Sequence, residues 1–306
     1  MEHLDVIAAA GRQRMFRARC KVMQPELVSH VTQRAAGKEV LFLEQGDYLS
    51  FLALFKESAL KYNVQVLAFC LMPNHVHILI RPREQNLDRS MHAVFMRYAM
   101  WFNRKYQRKG HLFGGPYRQA VCLDPTYLLG ASVYIHLNPV RAGLADTPRE
   151  YRWSSYALYH EDGAKHSFVD PALLLDQLAG ERDEAHALYR RLMENGRDVD
   201  CDTTLEKAGV VERFCFRLRA LCPDILAALA GKRSGEDNPE GILPEMVDLE
   251  QMIADYRAAP SQNVPESRKA REYLVKQLLA RGFTRREIAD QLGVTRKTVY
   301  NILRGS

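Results

Sequence analysis

The sequence predicts an α+β fold: a mainly antiparallel sheet flanked by helices, then a helical segment, then a C-terminal helix-turn-helix. Three observations predict it. Two apolar runs of strand length, Val64–Leu71 and His75–Ile80, are separated by three residues, a spacing that suits an antiparallel pair. Amphipathic stretches of helical length interleave with strands to give the order ββαββαβα. The last forty residues or so carry two short helical patterns divided by a glycine turn.

The elements follow in order. Residues 11 to 21 carry Arg12, Arg14, Arg17, Arg19 and Lys21 with no acid among them, a basic arm that is either solvated or set against phosphate. His30–Arg34 and Glu39–Leu43 read as short strands around Ala35-Ala36-Gly37-Lys38. A helix is expected over Asp47–Tyr62, with Asp47 as its N-cap and Leu49, Leu52, Leu54, Phe55 and Leu60 as its core stripe. The paired strands come next, the second entered through a Pro73-Asn74 turn. A helix over Asn86–Tyr106 carries Met91, Val94, Phe95, Tyr98, Trp101 and Phe102, mostly as core. Arg104, Lys105, Arg108, Lys109, His111 and Arg118 then cluster around Gly110, Gly114 and Gly115; such a loop suits a bent nucleic-acid strand, and equally a solvated surface. Gln119–Leu123 is a further strand, and Tyr127–Asn138 a helix that Pro139 should end.

Two patterns carry candidate chemistry. Side chains alternate across a strand, so Val76, Ile78 and Ile80 share one face and His75, His77 and Leu79 the other. The two imidazoles are then about 7 Å apart along the backbone, close enough to chelate one divalent metal. They would serve equally as polar residues on a solvated face. Tyr134 and Asn138, four apart, sit one above the other on a helix. A phenol beside an amide oxygen can pair a nucleophile with a third metal ligand, or can be a packed aromatic and a C-terminal cap.

Composition narrows the class. Hydrophobic residues at 47% and charged residues at 26% describe a globular chain of 306 residues, long enough for two domains. The net charge of +6 favours a polyanionic partner. Six cysteines occur without a Cys-x-x-Cys, which argues against a zinc knuckle or a thioredoxin-like site; Cys70 and Cys122 read as buried thiols. No run has signal-peptide or membrane-spanning character, so no membrane partner and a cytoplasmic location are expected.

Beyond residue 160 the character changes. Residues 161 to 200 hold ten acids against five bases, which favours packing on the preceding domain over contact with phosphates. Helices are expected over Pro171–Ala179 and Glu184–Asn195, and over Leu205–Leu229 with a break near Pro223. Arg233–Gly241 reads as a linker. From Arg268 the balance reverses to ten bases against three acids. Thr284 should cap a helix carrying Ile288, Ala289 and Leu292, Gly293 should make the turn, and Thr295 should cap a helix with Val299 and Ile302 inward. That helix would offer Thr295, Arg296, Lys297, Thr298 and Asn301 to a duplex groove.

Several stretches together resemble one family: HVTQR (residues 30–34), VLAFCLMPNHVHILI (66–80), NLDRSM (86–91), GHLFGGPYR (110–118), YIHLNPVRAGL (134–144) and WSSY (153–156). In order and spacing they are similar to the HUH single-tyrosine transposases, specifically the REP-associated tyrosine transposases, over about residues 10 to 160, with a weaker echo to about 197. The family usually has Gly-Asn after HVTQR, where this chain has Ala35, Ala36 and Gly37.

The resemblance implies an HUH, ferredoxin-like catalytic domain over 1–160, followed by a helical extension (161–232), a linker (233–243) and a helix-turn-helix domain (244–306). It implies His75, His77 and Asn138 as ligands of one Mg²⁺ or Mn²⁺. Tyr134 would be the nucleophile, forming a 5′-phosphotyrosine on single-stranded hairpins of REP-type repeats. With such chemistry in the chain, phosphate contacts become the preferred role of the basic arm and loop. The family allows a monomer or a homodimer. Two other readings stay open: a DNA-binding regulator with an unused nuclease centre, and a metal-dependent hydrolase without a covalent intermediate.

Overall fold

The computed structural model describes residues 15–17, 21–37, 39–122, 125–161, 167–199, 210–222, 253, 256–258, 265–280 and 285–304. Five strands, β1 Met15–Arg17, β2 Ser29–Arg34, β3 Val64–Met72, β4 His75–Pro82 and β5 Arg118–Cys122, form one sheet in the order β1-β5-β2-β4-β3. Every neighbouring pair is antiparallel. The expected order ββαββαβα holds, and His30–Arg34 falls in β2, but the second expected strand is absent. Residues 39–43 are not a strand. The amides of Leu41 and Phe42 turn instead to the carbonyl of Pro73 in the β3–β4 turn, at 2.6 and 3.4 Å. The missing strand is β1, which lies within the basic arm and closes the far edge of the sheet on β5.

One face of the sheet packs under two helices. Helix α1 (Gln45–Lys61) starts two residues before the expected boundary, with Glu44 as N-cap; Asp47 occupies N3 and completes a capping box. Its buried apolar stripe is Tyr48, Phe51, Phe55 and Ala59, whereas Leu49 and Leu60 are exposed at 55% and 70%. Aromatic rings at helical spacing claim the core and turn Leu49 and Leu60 outward, while Leu52 and Leu54 pack partly buried against it. Helix α2 (Leu87–Lys105) buries Met91, Val94, Phe95, Tyr98 and Phe102 as the periodicity predicts, with Trp101 partly buried against the same core. Val76, Ile78 and Ile80 of β4 belong to this core.

Helix α3 (Pro125–Arg141) covers the other face of the sheet. It runs through Pro139, because a proline near a helix end removes only one amide donor. The chain turns instead at Gly143, whose φ of 66° is open to glycine without strain. A second layer packs on α3: α4 (Ala172–Leu178), α5 (Arg182–Arg197) and α6 (Val210–Leu221). The acidic stretch therefore packs as its charge suggested. Close approach needs small residues on these helices. A Cβ on Gly130 would lie 2.6 Å from Cys215 Sγ, and one on Gly196 2.7 Å from Leu137 Cδ1. Cys70 and Cys122 are buried thiols.

A separate cluster gathers Leu274, Val275 and Leu278 of α7 (Pro265–Ala280), Ile288, Ala289 and Leu292 of α8 (Arg285–Leu292), and Val299 of α9 (Arg296–Arg304). Gly293 makes the turn with φ 64°, and Thr295 Oγ1 accepts the Thr298 amide at 3.1 Å, the expected cap. The readings at Thr284, at 205–209, over 223–229 and across the 233–243 linker lie outside the described residues. Among the described residues no helix is long and apolar enough to cross a membrane.

Candidate active site

β4 is buried along its whole length, so its histidines face protein and not solvent. His75 is 8% exposed and His77 fully buried. Directly paired strand residues share a face, so the register gathers one polar set: Arg34 lies opposite His75, Thr32 opposite His77, and His30 opposite Leu79. Arg118 joins that face across from Thr32. Over it lies α3, with Tyr134 against the His77 ring.

The two imidazoles pack edge to face with centroids 4.9 Å apart. His75 Nδ1 lies 2.6 Å from Asn74 Oδ1, and His77 Nδ1 lies 2.9 Å from His30 Nε2. Both Nε2 atoms are buried without a hydrogen-bond partner. A buried polar atom left unpaired costs about 1–3 kcal/mol, so two such atoms on adjacent rings call for an explanation. Burial, with the Arg34 charge, pushes the His75 pKa down to about 3. Burial pushes His30 down to about 4 and, with the His75 and His30 charges, holds His77 well below its usual value. All three rings are neutral at pH 7, the state that metal ligation requires.

The donor set fits a divalent cation. Among the described residues no three His, Cys, Asp or Glu side chains are grouped to hold a metal. An ion on His75 and His77 would therefore complete its shell with neutral or substrate oxygens. Asn138 is half-buried on α3, and its Nδ2 donates to the Tyr134 carbonyl at 2.8 Å, which leaves Oδ1 as the atom it can offer.

Tyr134 is only 2% exposed. Its ring lies edge-on to His77 at 5.9 Å and against Phe214 of α6 at 5.5 Å. Tyr127, two turns earlier on α3, is also buried in this core. Behind Tyr134, His136 bonds Tyr189 Oη at 2.7 Å and Ser155 Oγ at 2.8 Å, tying α3 to α5 and to the segment beside β3.

The structure distributes the candidate phosphate contacts unevenly. Arg104, Lys109 and Arg118 are exposed, and Arg118 is on the histidine face. Lys105 pairs with Glu44 at 2.6 Å and with buried Asp47 at 2.5 Å, and Arg108 pairs with Glu39, so a phosphate would compete with carboxylates for both. Lys21 donates to the Tyr117 carbonyl and lies over that ring at 3.8 Å. Arg17 sits in β1, paired with Ala120; Arg12, Arg14 and Arg19 lie outside the described residues. On α9 and its cap, Thr295, Arg296, Lys297 and Asn301 are exposed and Thr298 half-buried.

Sequence reasoning missed His30, Arg34 and Asn74 as parts of this site. The alternation His30-x-Thr32-x-Arg34 was visible, but only the β2–β4 register says which face it joins.

Parts of the chain are similar to known proteins. Residues 24–137 match the family described as transposase IS200 like, and residues 265–306 match a homeodomain-like domain. A Haemophilus influenzae protein named as a candidate REP-associated tyrosine transposase is 21% identical over 122 residues, covering 36% of this chain and 69% of its own. A solved structure of a REP-associated tyrosine transposase bound to a REP hairpin aligns with 49% of this chain and 92% of its own, at TM-score 0.42 and 11% identity.

Proposed function

We propose, from the match of residues 24–137 to the family described as transposase IS200 like, that this chain is a metal-dependent DNA strand transferase. It would cleave and rejoin single-stranded, hairpin-forming REP-type repeats through a 5′-phosphotyrosine. The observation that carries this reading is the pair of buried, unpartnered Nε2 atoms on His75 and His77 beside the Tyr134 ring.

His75, His77 and Asn138 would hold Mg²⁺ or Mn²⁺; imidazole ligands suit Mn²⁺, and cellular abundance favours Mg²⁺. When bound, the ion supplies Lewis-acid polarisation of the scissile phosphate. Tyr134 Oη loses its proton and bonds to phosphorus, and the 3′ oxygen departs and takes up a proton. The new phosphodiester to tyrosine keeps the bond energy, so a second 3′-hydroxyl can reverse the step and join a different strand. Arg34 and Arg118, on the same sheet face, would bind backbone phosphates.

The reaction requires Tyr134 to meet a phosphate, and Phe214 lies on its ring. Phe214→Leu shortens that cover at a cost of about 1 kcal/mol. Adduct formation on a single-stranded hairpin is expected to rise several-fold in a time course on denaturing gels; a slower time course from a fully folded variant would show that Phe214 supports the tyrosine and does not cover it.

The exposed face of α9 is the proposed duplex contact. Arg296→Ala with Lys297→Ala should weaken duplex binding and reduce the slope of log affinity against log salt by about 2, roughly one for each phosphate lost. Hairpin cleavage should be unchanged. An unaltered salt slope would remove α9 from duplex binding.

The near-complete burial of Tyr134 favours one other reading, a DNA-binding regulator with an unused nuclease centre. Incubating the chain with Mn²⁺ and a labelled hairpin separates the two. The transferase gives a detergent-resistant protein–DNA adduct that chelator prevents, and the regulator gives none.

A further inference from the structure

We infer that His30 and Asn74 are positioning residues that hold His77 and His75 in the Nδ1–H tautomer, so that both rings direct an unprotonated Nε2 at one divalent cation. The inference rests on the proposed metal site and extends it to residues that bind no metal themselves.

A neutral imidazole carries its single proton on either nitrogen, and the partner at one nitrogen decides what the other can do. For His75 the choice is forced. Its Nδ1 lies 2.6 Å from Asn74 Oδ1, and a carbonyl oxygen only accepts, so Nδ1 carries the proton and Nε2 a lone pair. For His77 the partner is a second imidazole. His30 Nε2 lies 2.9 Å from His77 Nδ1, with the rings stacked 5.1 Å apart at 21°. Either nitrogen of that pair could donate. The far side of His77 selects between them. A proton on His77 Nε2 would be a buried donor with no acceptor, whereas a lone pair there, like the unpartnered one on the adjacent His75 ring, can ligate a cation. One cation satisfies both lone pairs at once, and no proton arrangement does.

The fold places the two positioning residues by separate devices. Asn74 is in the tight β3–β4 turn, where its carbonyl accepts the Ala35 amide at 2.9 Å. His30 is on β2, paired opposite Leu79 and so diagonal to His77 on one sheet face, and it is only 4% exposed. Neither partner is a carboxylate, so the two rings are oriented without adding negative charge where a phosphate must approach. Removing such an outer partner typically weakens metal affinity about 10–100-fold.

The test uses the full chain labelled with nitrogen-15 at histidine, free of metal and DNA. Long-range proton–nitrogen correlation reads the tautomer of each ring. The unaltered chain should show Nδ1–H at both His75 and His77. His30→Leu should move His77 towards Nε2–H and leave His75 unchanged, Asn74→Ala should do the converse, and His30→Gln, which restores an acceptor, should return His77 to Nδ1–H. Electron paramagnetic resonance of free Mn²⁺ should then show affinity lower by about 10–100-fold in His30→Leu and partly recovered in His30→Gln. An Nε2–H signal from His77 in the unaltered chain overturns the inference even if His30→Leu fails to fold. So does undiminished Mn²⁺ affinity in His30→Leu when His77→Ala has lost it. Undiminished affinity in His77→Ala overturns the metal site itself, an outcome distinct from a wrong tautomer because the nitrogen spectra are recorded without metal.

Discussion

Tyr134→Phe should form no covalent adduct with DNA, with a loss of more than about 10⁴-fold in the cleavage step, the scale seen when a nucleophile is removed. Only the hydroxyl oxygen is lost. The ring keeps its contacts with His77 and Phe214, so the fold should survive at a cost of about 1 kcal/mol. Tyr127→Phe is the matched control. Tyr127 shares the core and the helix, but the residue four positions on is Ala131, with no oxygen to offer a metal, where Tyr134 has Asn138. Tyr127→Phe should therefore still form the adduct, at a rate altered only by packing. An adduct in Tyr134→Phe of the same mobility as that of the unaltered chain would reassign the nucleophile.

His77→Ala should abolish cleavage while leaving hairpin affinity within about twofold, because binding is assigned to basic side chains and backbone phosphates. Chelator should reproduce the effect in the unaltered chain, and Mn²⁺ should restore activity there but not in the variant. The substitution also removes a fully buried ring whose Nε2 has no partner, so part of the packing loss is offset by relief of that unpaired atom. Full cleavage by His77→Ala, or undiminished activity in chelator, would take the histidines out of the mechanism.

The parts of this site that were legible in the sequence are those set by short-range periodicity. The alternation along His75–Ile80 separated a core face from an imidazole face, and the structure keeps them apart: Val76, Ile78 and Ile80 enter the core under α1 and α2, while His77 lies under α3. The four-residue spacing put Tyr134 and Asn138 on one helix, and the Nδ2 bond from Asn138 to the Tyr134 carbonyl spans that turn. Residues brought in by strand pairing were not legible. His30 and Arg34 reach the site only through the β2–β4 register, a long-range choice that no local pattern encodes.

The errors have local causes. At 39–43 a short apolar run suggested a strand, but the Pro73 carbonyl took the amides that a neighbouring strand would have used. On α1 Phe55 is buried as expected, but Leu49 and Leu60 looked like core by hydrophobicity, whereas Tyr48 and Phe51 occupy the buried positions. β1 was hidden because its only charged residue, Arg17, sits in a run whose basic charge suggested an arm, solvated or set against phosphate, and not a strand. Pro139 was read as a stop, although the αL turn that follows α3 belongs to Gly143.

Mapping the trapped adduct tests the central claim most directly. The full chain is incubated with Mn²⁺ and a hairpin cleaved near its single-stranded flank, the DNA is digested to a short remnant, and the protein is cut with trypsin. One tryptic peptide, Gln119 to Arg141, carries both Tyr127 and Tyr134, so the fragment ions must locate the modified ring. The expected result is a 5′-phosphodeoxynucleotide on Tyr134 and on none of the other thirteen of the fourteen tyrosines. A remnant on Tyr127, on any tyrosine outside this peptide, or on no tyrosine in a preparation that has cleaved its substrate would contradict it.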